Sequence, residues 1–169
     1  MPVFPIERPG TTLRPLTNAD QPFLLHLYGT TREAELQATG WTDAQKAHFV
    51  QMQFDAQQRA YFAYPDAEFF VIEQDGALVG RLYLQQREEA LLIIDISLVP
   101  QRCGLGIGSA VLSAVFAQAL AVGKRVQLHV ERFNPALRLY QRMGFRPVED
   151  KGVYLFLEWG GATAPATPV

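Results

Sequence analysis

Three glycines spaced two apart, Gly104, Gly106 and Gly108, sit between an apolar run and an apolar helical pattern. The run Leu91 to Val99 reads as a buried strand, and Pro100 stops it. Beyond the loop, Ile107, Val111, Val115 and Ala119 recur at helical spacing. A strand, a glycine loop and a helix N-terminus together make an anion site, because backbone N–H groups and the helix dipole converge on one point. Glycine also lets a phosphate approach the backbone without meeting a Cβ. A phosphate-bearing ligand is therefore expected at Cys103, Gly104, Leu105, Gly106, Ile107, Gly108 and Ser109. A triphosphate loop needs Lys and then Ser or Thr after its last glycine, and here Ser109 and Ala110 follow Gly108. A dinucleotide fingerprint needs a third glycine where Ser109 stands. A pyrophosphate-pantetheine ligand, coenzyme A, is the third reading. A tight strand-to-helix turn that binds nothing is the fourth.

A second segment bears on the choice. His129-Val130-Glu131-Arg132-Phe133-Asn134-Pro135 continues through Leu139-Tyr140 to Gly144-Phe145. This pattern of strand, Asn, short helix ending in Leu-Tyr, and Gly-Phe turn resembles the second signature of the GNAT acyltransferase superfamily. The glycine loop resembles the first, Arg/Gln-x-x-Gly-x-Gly/Ala. Order and separation match, and the resemblance spans about residues 11 to 159. One position departs. Cys103 stands where the family carries Arg or Gln, and Arg102 lies one residue early. Arg102 is expected to reach the pyrophosphate or the 3′-phosphate from a neighbouring direction.

The resemblance implies an N-acetyltransferase that moves an acetyl group from acetyl-CoA directly to an amine in a ternary complex. The rival is a CoA-binding sensor or regulatory module that keeps the site and lacks turnover. By resemblance, backbone groups of Ser97, Leu98 and Val99 hold pantetheine, and the Leu98 or Val99 amide polarises the thioester carbonyl. Tyr140 matches the general acid; a phenol with a pKa near ~10 can protonate a thiolate whose acid has a pKa near ~8.5. Asn134 is expected to touch the cofactor, and before Pro135 it is equally a helix N-cap. Asp95 and Glu131 are candidate bases, with water as the alternative. Strict alternation puts Asp95 and Ser97 on one face of their strand and Ile94, Ile96 and Leu98 on the other. A lone Asp in that run either faces the site or pairs with an arginine. Acceptor contacts are expected from residues 25 to 45 and near Val153. The first region holds Tyr28, Thr30, Arg32, Glu33, Glu35 and Trp41, of which Tyr28, Arg32, Glu33 and Trp41 are the chosen binders. Acidic groups suit an amine and Arg32 a carboxylate, so a small amine, an amino acid or a peptide N-terminus is the expected acceptor.

The elements that must position these residues follow from capping and periodicity. A strand is expected at Thr11 to Leu16. Capping boxes at Asn18-Ala-Asp-Gln21 and Thr42-Asp-Ala-Gln45 open two helices. Glu68 to Glu73 and Leu78 to Gln85 flank Asp75-Gly76 as a hairpin. Then come strand 91–99, helix 107–121, strand 126–131, helix 135–143 and strands 145–148 and 153–159. This order is similar to the GNAT fold, a mixed α/β (α+β) architecture. About seven strands form a twisted sheet with two splayed central parallel strands, flanked by about four helices.

The whole chain sets bounds. Its 169 residues suit one domain, expected at 1–159, with an Ala/Thr/Pro-rich flexible tail at 160–169. A net charge of −2 gives no electrostatic case for nucleic acid or an anionic membrane. No apolar run reaches the ~20 residues of a spanning helix. Met1-Pro2-Val3-Phe4-Pro5 lacks the basic region and apolar core of a signal peptide. One cysteine excludes an internal disulfide and fits a reducing cytoplasm. The histidines are scattered, so no metal site is expected. A homodimer is compatible with all of this.

Overall fold

The computed structural model describes residues 4–161, so the expectations for the tail beyond Gly161 and for residues 1–3 fall outside the described residues. The chain runs β1 (Thr11–Pro15), α1 (Gln21–Gln37), α2 (Asp43–Phe62), β2 (Ala67–Gln74), β3 (Ala77–Gln86), β4 (Ala90–Leu98), α3 (Ile107–Ala121), β5 (Arg125–Glu131), α4 (Leu137–Arg142), β6 (Arg146–Asp150) and β7 (Tyr154–Trp159). The strands form one sheet in the order β1-β2-β3-β4-β5-β7-β6. Every neighbouring pair is antiparallel except β4 and β5. This is the mixed, seven-stranded α/β arrangement the element order implies.

Each sheet face carries a core. One face gathers Phe70, Ile72, Leu82, Leu84, Leu91 and Ile93 against α3, whose Ile107, Val111, Val115 and Ala119 are buried. Burying each larger side chain of that stripe stabilises the fold by roughly 1.5–3 kcal/mol. Phe116 adds a ring stacked on Trp159 at 3.9 Å. On the other face Leu24, Tyr28, Phe54 and Val71 bind α1 and α2 to the sheet.

Local signals act as the residue types dictate, with three differences. The Thr42 box forms: Gln45 N–H donates to Thr42 Oγ1 at 3.2 Å, and Thr42 N–H donates to Gln45 Oε1 at 2.9 Å. The first box forms one residue earlier than expected, with Thr17 rather than Asn18 as the cap. Asp20 decides this. Its carboxylate accepts from Thr17 N at 2.8 Å and also pairs with Arg14 at 2.8 Å, contacts that Gln21 could not make with a charge. The helix after Asn134 starts at Leu137 rather than Pro135. Ala136 is the cap, and Asn134 instead forms a turn ahead of the helix, its side chain accepting from Ala136 N–H at 2.9 Å.

The third difference matters most. The β3–β4 register shifts between Tyr83 and Leu84: Leu84 opposes Ile93, while Tyr83 opposes Asp95. Ile94 is a surplus residue, a β-bulge. It therefore does not join Ile96 and Leu98, which pack on the α3-side core. Strict alternation across the bulge is broken, and Ile94 turns instead to a hollow on the α2 side.

Candidate active site

The bulge has a direct consequence for β4 and β5. Their parallel ladder runs only from Ala90↔Arg125 to Ile93↔Leu128 and stops at the bulge. A bulged strand bends and twists away from its neighbour. Beyond that point the two strands splay apart. Antiparallel hydrogen bonding alternates along a strand. Val99 N–H donates to Val79 O at 2.9 Å, so the backbone groups of Ile96 and Leu98 point the other way, into the split. Val99 itself is engaged on both sides, since its carbonyl accepts from Arg102 N at 2.9 Å. Of the two amides expected to polarise a carbonyl, Leu98's is the one presented to the split; the Val99 expectation is corrected.

The glycine loop closes one end of this split. Pro100–Arg102 forms a short 3₁₀ turn, and Gly106 caps α3 in the left-handed region at φ +87. Only glycine adopts that conformation readily. A Cβ added at Gly104 would meet nothing within 4 Å, so the loop's outer surface is open for a ligand. Gly108 differs: it lies in the first turn of α3, and an added Cβ would touch Leu139 and Leu98 at 3.6 and 3.8 Å. Leu105 is half exposed, and Ser109 lies in the first turn of α3. Cys103 is exposed, with Sγ 3.6 Å from Val99 O and 3.9 Å from Leu98 O. Its thiol faces carbonyl oxygens and brings no positive charge to the loop.

Two sets of side chains flank the split on opposite faces. On the α3 face stands Tyr140, 7% exposed, packed edge-on against Phe145 with centroids 5.7 Å apart. Gly144 at φ +103 turns the chain so that Phe145 enters the core, where its N–H donates to Tyr140 O at 3.0 Å. Burial pushes the Tyr140 phenol well above its ordinary range, and the Asp95 carboxylate adds to the effect. The phenol is thus a firmly held proton.

On the opposite face a hollow of about 370 Å³ is lined by Tyr61, Tyr64, Ile94, His129, Lys151 and Tyr154, among others. His129 reaches it because Val126, Leu128 and Val130 turn to the core, leaving His129 and Glu131 on the other side of β5. Its ring lies 4.7 Å from that of Phe156, its cross-strand partner. Lys151 Nζ is 3.3 Å from His129 Nε2. An ammonium donates and cannot accept, so this contact holds Nε2 unprotonated. Partial burial pushes the imidazole below its ordinary range, and the Lys151 and Arg87 charges act the same way against Glu149. Sequence reasoning passed over His129; its parity with Glu131, two residues on, was the available signal. Glu131 is exposed at the end of β5.

Asp95 is committed to an ion pair. Arg81, 3% exposed, reaches Asp95 Oδ2 at 2.6 Å, and Ser97 Oγ donates to Asp95 Oδ1 at 3.0 Å. The Arg81 guanidinium also lies over the Tyr83 ring at 5.0 Å and the Tyr61 ring at 5.5 Å. Of the sequence alternatives for Asp95, the pairing with an arginine is the one the structure shows.

Of the four expected acceptor binders only Tyr28 and Arg32 meet, and Glu33 and Trp41 line separate hollows. Tyr28 is 4% exposed and its hydroxyl accepts from Arg32 Nε at 3.1 Å. Arg32 pairs with Glu35 on the surface of α1. Glu33 lines one hollow between α1 and α2, and Trp41 lines another along α2. Helix faces were not assignable without the packing of α1 on α2. The second expected region fares differently: Lys151 and Tyr154, beside Val153, line the hollow at the split. Among the described residues no cluster of metal-ligating side chains occurs.

The model of the acetyltransferase (GNAT) family matches residues 33–145, about two thirds of the chain. The chain belongs to the GNAT acetyltransferase family. That membership makes it an acyltransferase enzyme whose family donor is acetyl-CoA. The fold agrees with solved structures. PaiA N-acetyltransferase from Thermoplasma acidophilum, in complex with coenzyme A, superposes with a TM-score of 0.68 at 14% identity, covering 89% of this chain and 99% of that one. A putative GNAT-family acetyltransferase from Bordetella pertussis gives 0.61 at 21% identity, over 95% and 100%. One from Elizabethkingia anophelis, with acetyl-CoA bound, gives 0.59 at 17% identity, over 90% and 99%. No curated protein matches the sequence significantly. Among the described residues no helix is long and apolar enough to cross a membrane.

Proposed function

We propose that this GNAT enzyme transfers an acetyl group from acetyl-CoA directly to a primary amine held in the hollow on the α2 side of the split. The observation that carries the reading is the arrangement of the split: an unpaired β4 edge, with a buried phenol on one face and the His129 imidazole on the other. The open glycine loop and the free edge of β4 fit a pyrophosphate and a pantetheine arm. Bound acetyl-CoA supplies an activated thioester. The N–H groups of residues 104–109 cradle the phosphates, and Asn134 touches the same cofactor. Leu98 N–H donates to the developing oxyanion. His129 takes the proton that the amine sheds, directly or through one water, as Lys151 Nζ swings off Nε2 and frees its lone pair. Tyr140 donates its proton to the departing sulfur. Asp95 holds Arg81 and Tyr61 in place beside the reacting centre, and exposed Glu131 draws a cationic amine towards the mouth of the hollow.

Three tyrosines and a phenylalanine around the hollow suit a flat or apolar group next to the amine, and Lys151 suits a carboxylate. A small amine, an amino acid or a peptide N-terminus therefore remains the proposed acceptor class. The test is acetyl-CoA turnover, read as free thiol, across amino acids, polyamines, aminoglycosides and peptides. Turnover with one class supports the reading. Tight CoA binding with no turnover on any amine favours the regulatory module instead.

A further inference from the structure

The segment ahead of β1 leads to the glycine loop. Phe4 is buried, edge-on to Phe70 with centroids 5.9 Å apart, and Ile6 packs on the same core. Arg8 N–H donates to Ile6 O at 2.9 Å, and Arg8 O accepts from Thr11 N–H at 3.1 Å. The backbone is thus fixed on both sides of Arg8. Its side chain ends at the start of α3: a Cβ added to Gly106 would stand 3.3 Å from Arg8 Nη1. Arg8 Nε is buried without a hydrogen-bond partner. Among the described residues no carboxylate forms a salt bridge with Arg8. The side chain is half-buried, and its Nε has lost water without gaining a partner.

We propose that Arg8 is a phosphate ligand of the donor and supplies, from outside the loop, the charged side chain that Cys103 does not. This rests on the acetyl-CoA reading above. The guanidinium fork matches phosphate oxygens in pairs, and it stands where the α3 N-terminus already favours an anion. Packing of Phe4 and Ile6 sets its reach, so the N-terminal segment becomes part of the cofactor site.

Calorimetric titration of CoA and of dephospho-CoA, which lacks the 3′-phosphate, tests this on the full chain. Arg8→Gln should raise the Kd for CoA by about tenfold or more, the scale of one charge-assisted hydrogen bond. Arg8→Lys, which keeps charge and loses the fork, should fall between the two. Adding Cys103→Arg to Arg8→Gln should restore most of the loss. Arg59→Gln, an equal charge change on α2, should leave Kd unchanged. An equal loss with both ligands assigns Arg8 to the pyrophosphate, and a loss confined to CoA assigns it to the 3′-phosphate. An unchanged Kd in an Arg8→Gln or Arg8→Lys protein that melts like wild type overturns the proposal and leaves the acetyl-CoA reading standing. A wild-type chain that fails to bind CoA removes that reading itself.

Discussion

Alanine placed at Gly106 and at Gly108 should move stability in opposite directions, although the two positions are two residues apart. Gly106 caps α3 at φ +87 and ψ 0. An L-residue in that left-handed region costs about 1–2 kcal/mol. Gly108 has ordinary helical backbone, and its added methyl would meet Leu139 Cδ2 at 3.6 Å and Leu98 Cδ1 at 3.8 Å, normal van der Waals contact. There alanine gains about 0.5–1 kcal/mol of helix propensity over glycine. For a chain of this size 1 kcal/mol corresponds to about 2–4 °C in Tm, so Gly108→Ala should melt about 1–4 °C above wild type and Gly106→Ala about 2–8 °C below it. Thermal melts followed by circular dichroism, with and without saturating CoA, read both effects. CoA should raise Tm equally for wild type and Gly108→Ala. It should raise it less for Gly106→Ala, whose methyl stands 3.3 Å from Arg8 Nη1. A Gly106→Ala protein as stable as wild type, or a destabilised Gly108→Ala, would refute the conformational account of the loop.

Three further outcomes are expected. Tyr140→Phe keeps the packing on Phe145 and removes the proton, so turnover at saturating substrates should fall roughly 10²-fold with little change in CoA affinity; undiminished thiol release would assign the proton to water. His129 accepts a proton only when neutral, so kcat/KM should rise with pH through a pKa below the ordinary imidazole range. Lys151→Gln removes a charge that disfavours imidazolium and should move this limb to higher pH, while a limb that survives His129→Ala belongs to another group. Asp95→Asn leaves the buried Arg81 guanidinium without its carboxylate and should cost about 3 kcal/mol, seen as a lower urea midpoint at unchanged slope. An unaltered midpoint would mean that the pair carries no structural weight.

Much of this was legible before any coordinates, and the exceptions have physical causes. The limits of α3 and the hairpin about Asp75-Gly76 follow from local patterns, because capping, periodicity and turn chemistry act within a few residues. The glycine loop and Tyr140 were identifiable for the same reason: motif residues lie close together in sequence. Ile94 was misplaced because alternation assumes one residue per ladder position, and nothing in Ile93-Ile94-Asp95 marks which isoleucine is surplus. Arg32 stays on Tyr28 while Glu33 and Trp41 part from them, because α1 presents several faces, Trp41 lies in the connection to α2, and only the packing of α1 on α2 decides where each ends. Thr17 displaced Asn18 through Arg14, a partner in another element. Arg8 lies in irregular chain, where no periodicity tells where a side chain ends.

The surplus residue in β4 also separates what the fold requires from what the chemistry requires. Either side of it, the strand keeps its partners on β3: Ile93 opposes Leu84, and Asp95 opposes Tyr83. A chain lacking Ile94 could retain every one of those pairings and every inward-facing side chain. It would lose the bend that ends the ladder at Ile93↔Leu128. Straightened, β4 would zip onward along β5, and the amides of Ile96 and Leu98 would find partners in protein rather than in a ligand. The sheet would gain hydrogen bonds and seal its own cleft. On this geometry one surplus amino acid holds the split open against the sheet's own tendency to close.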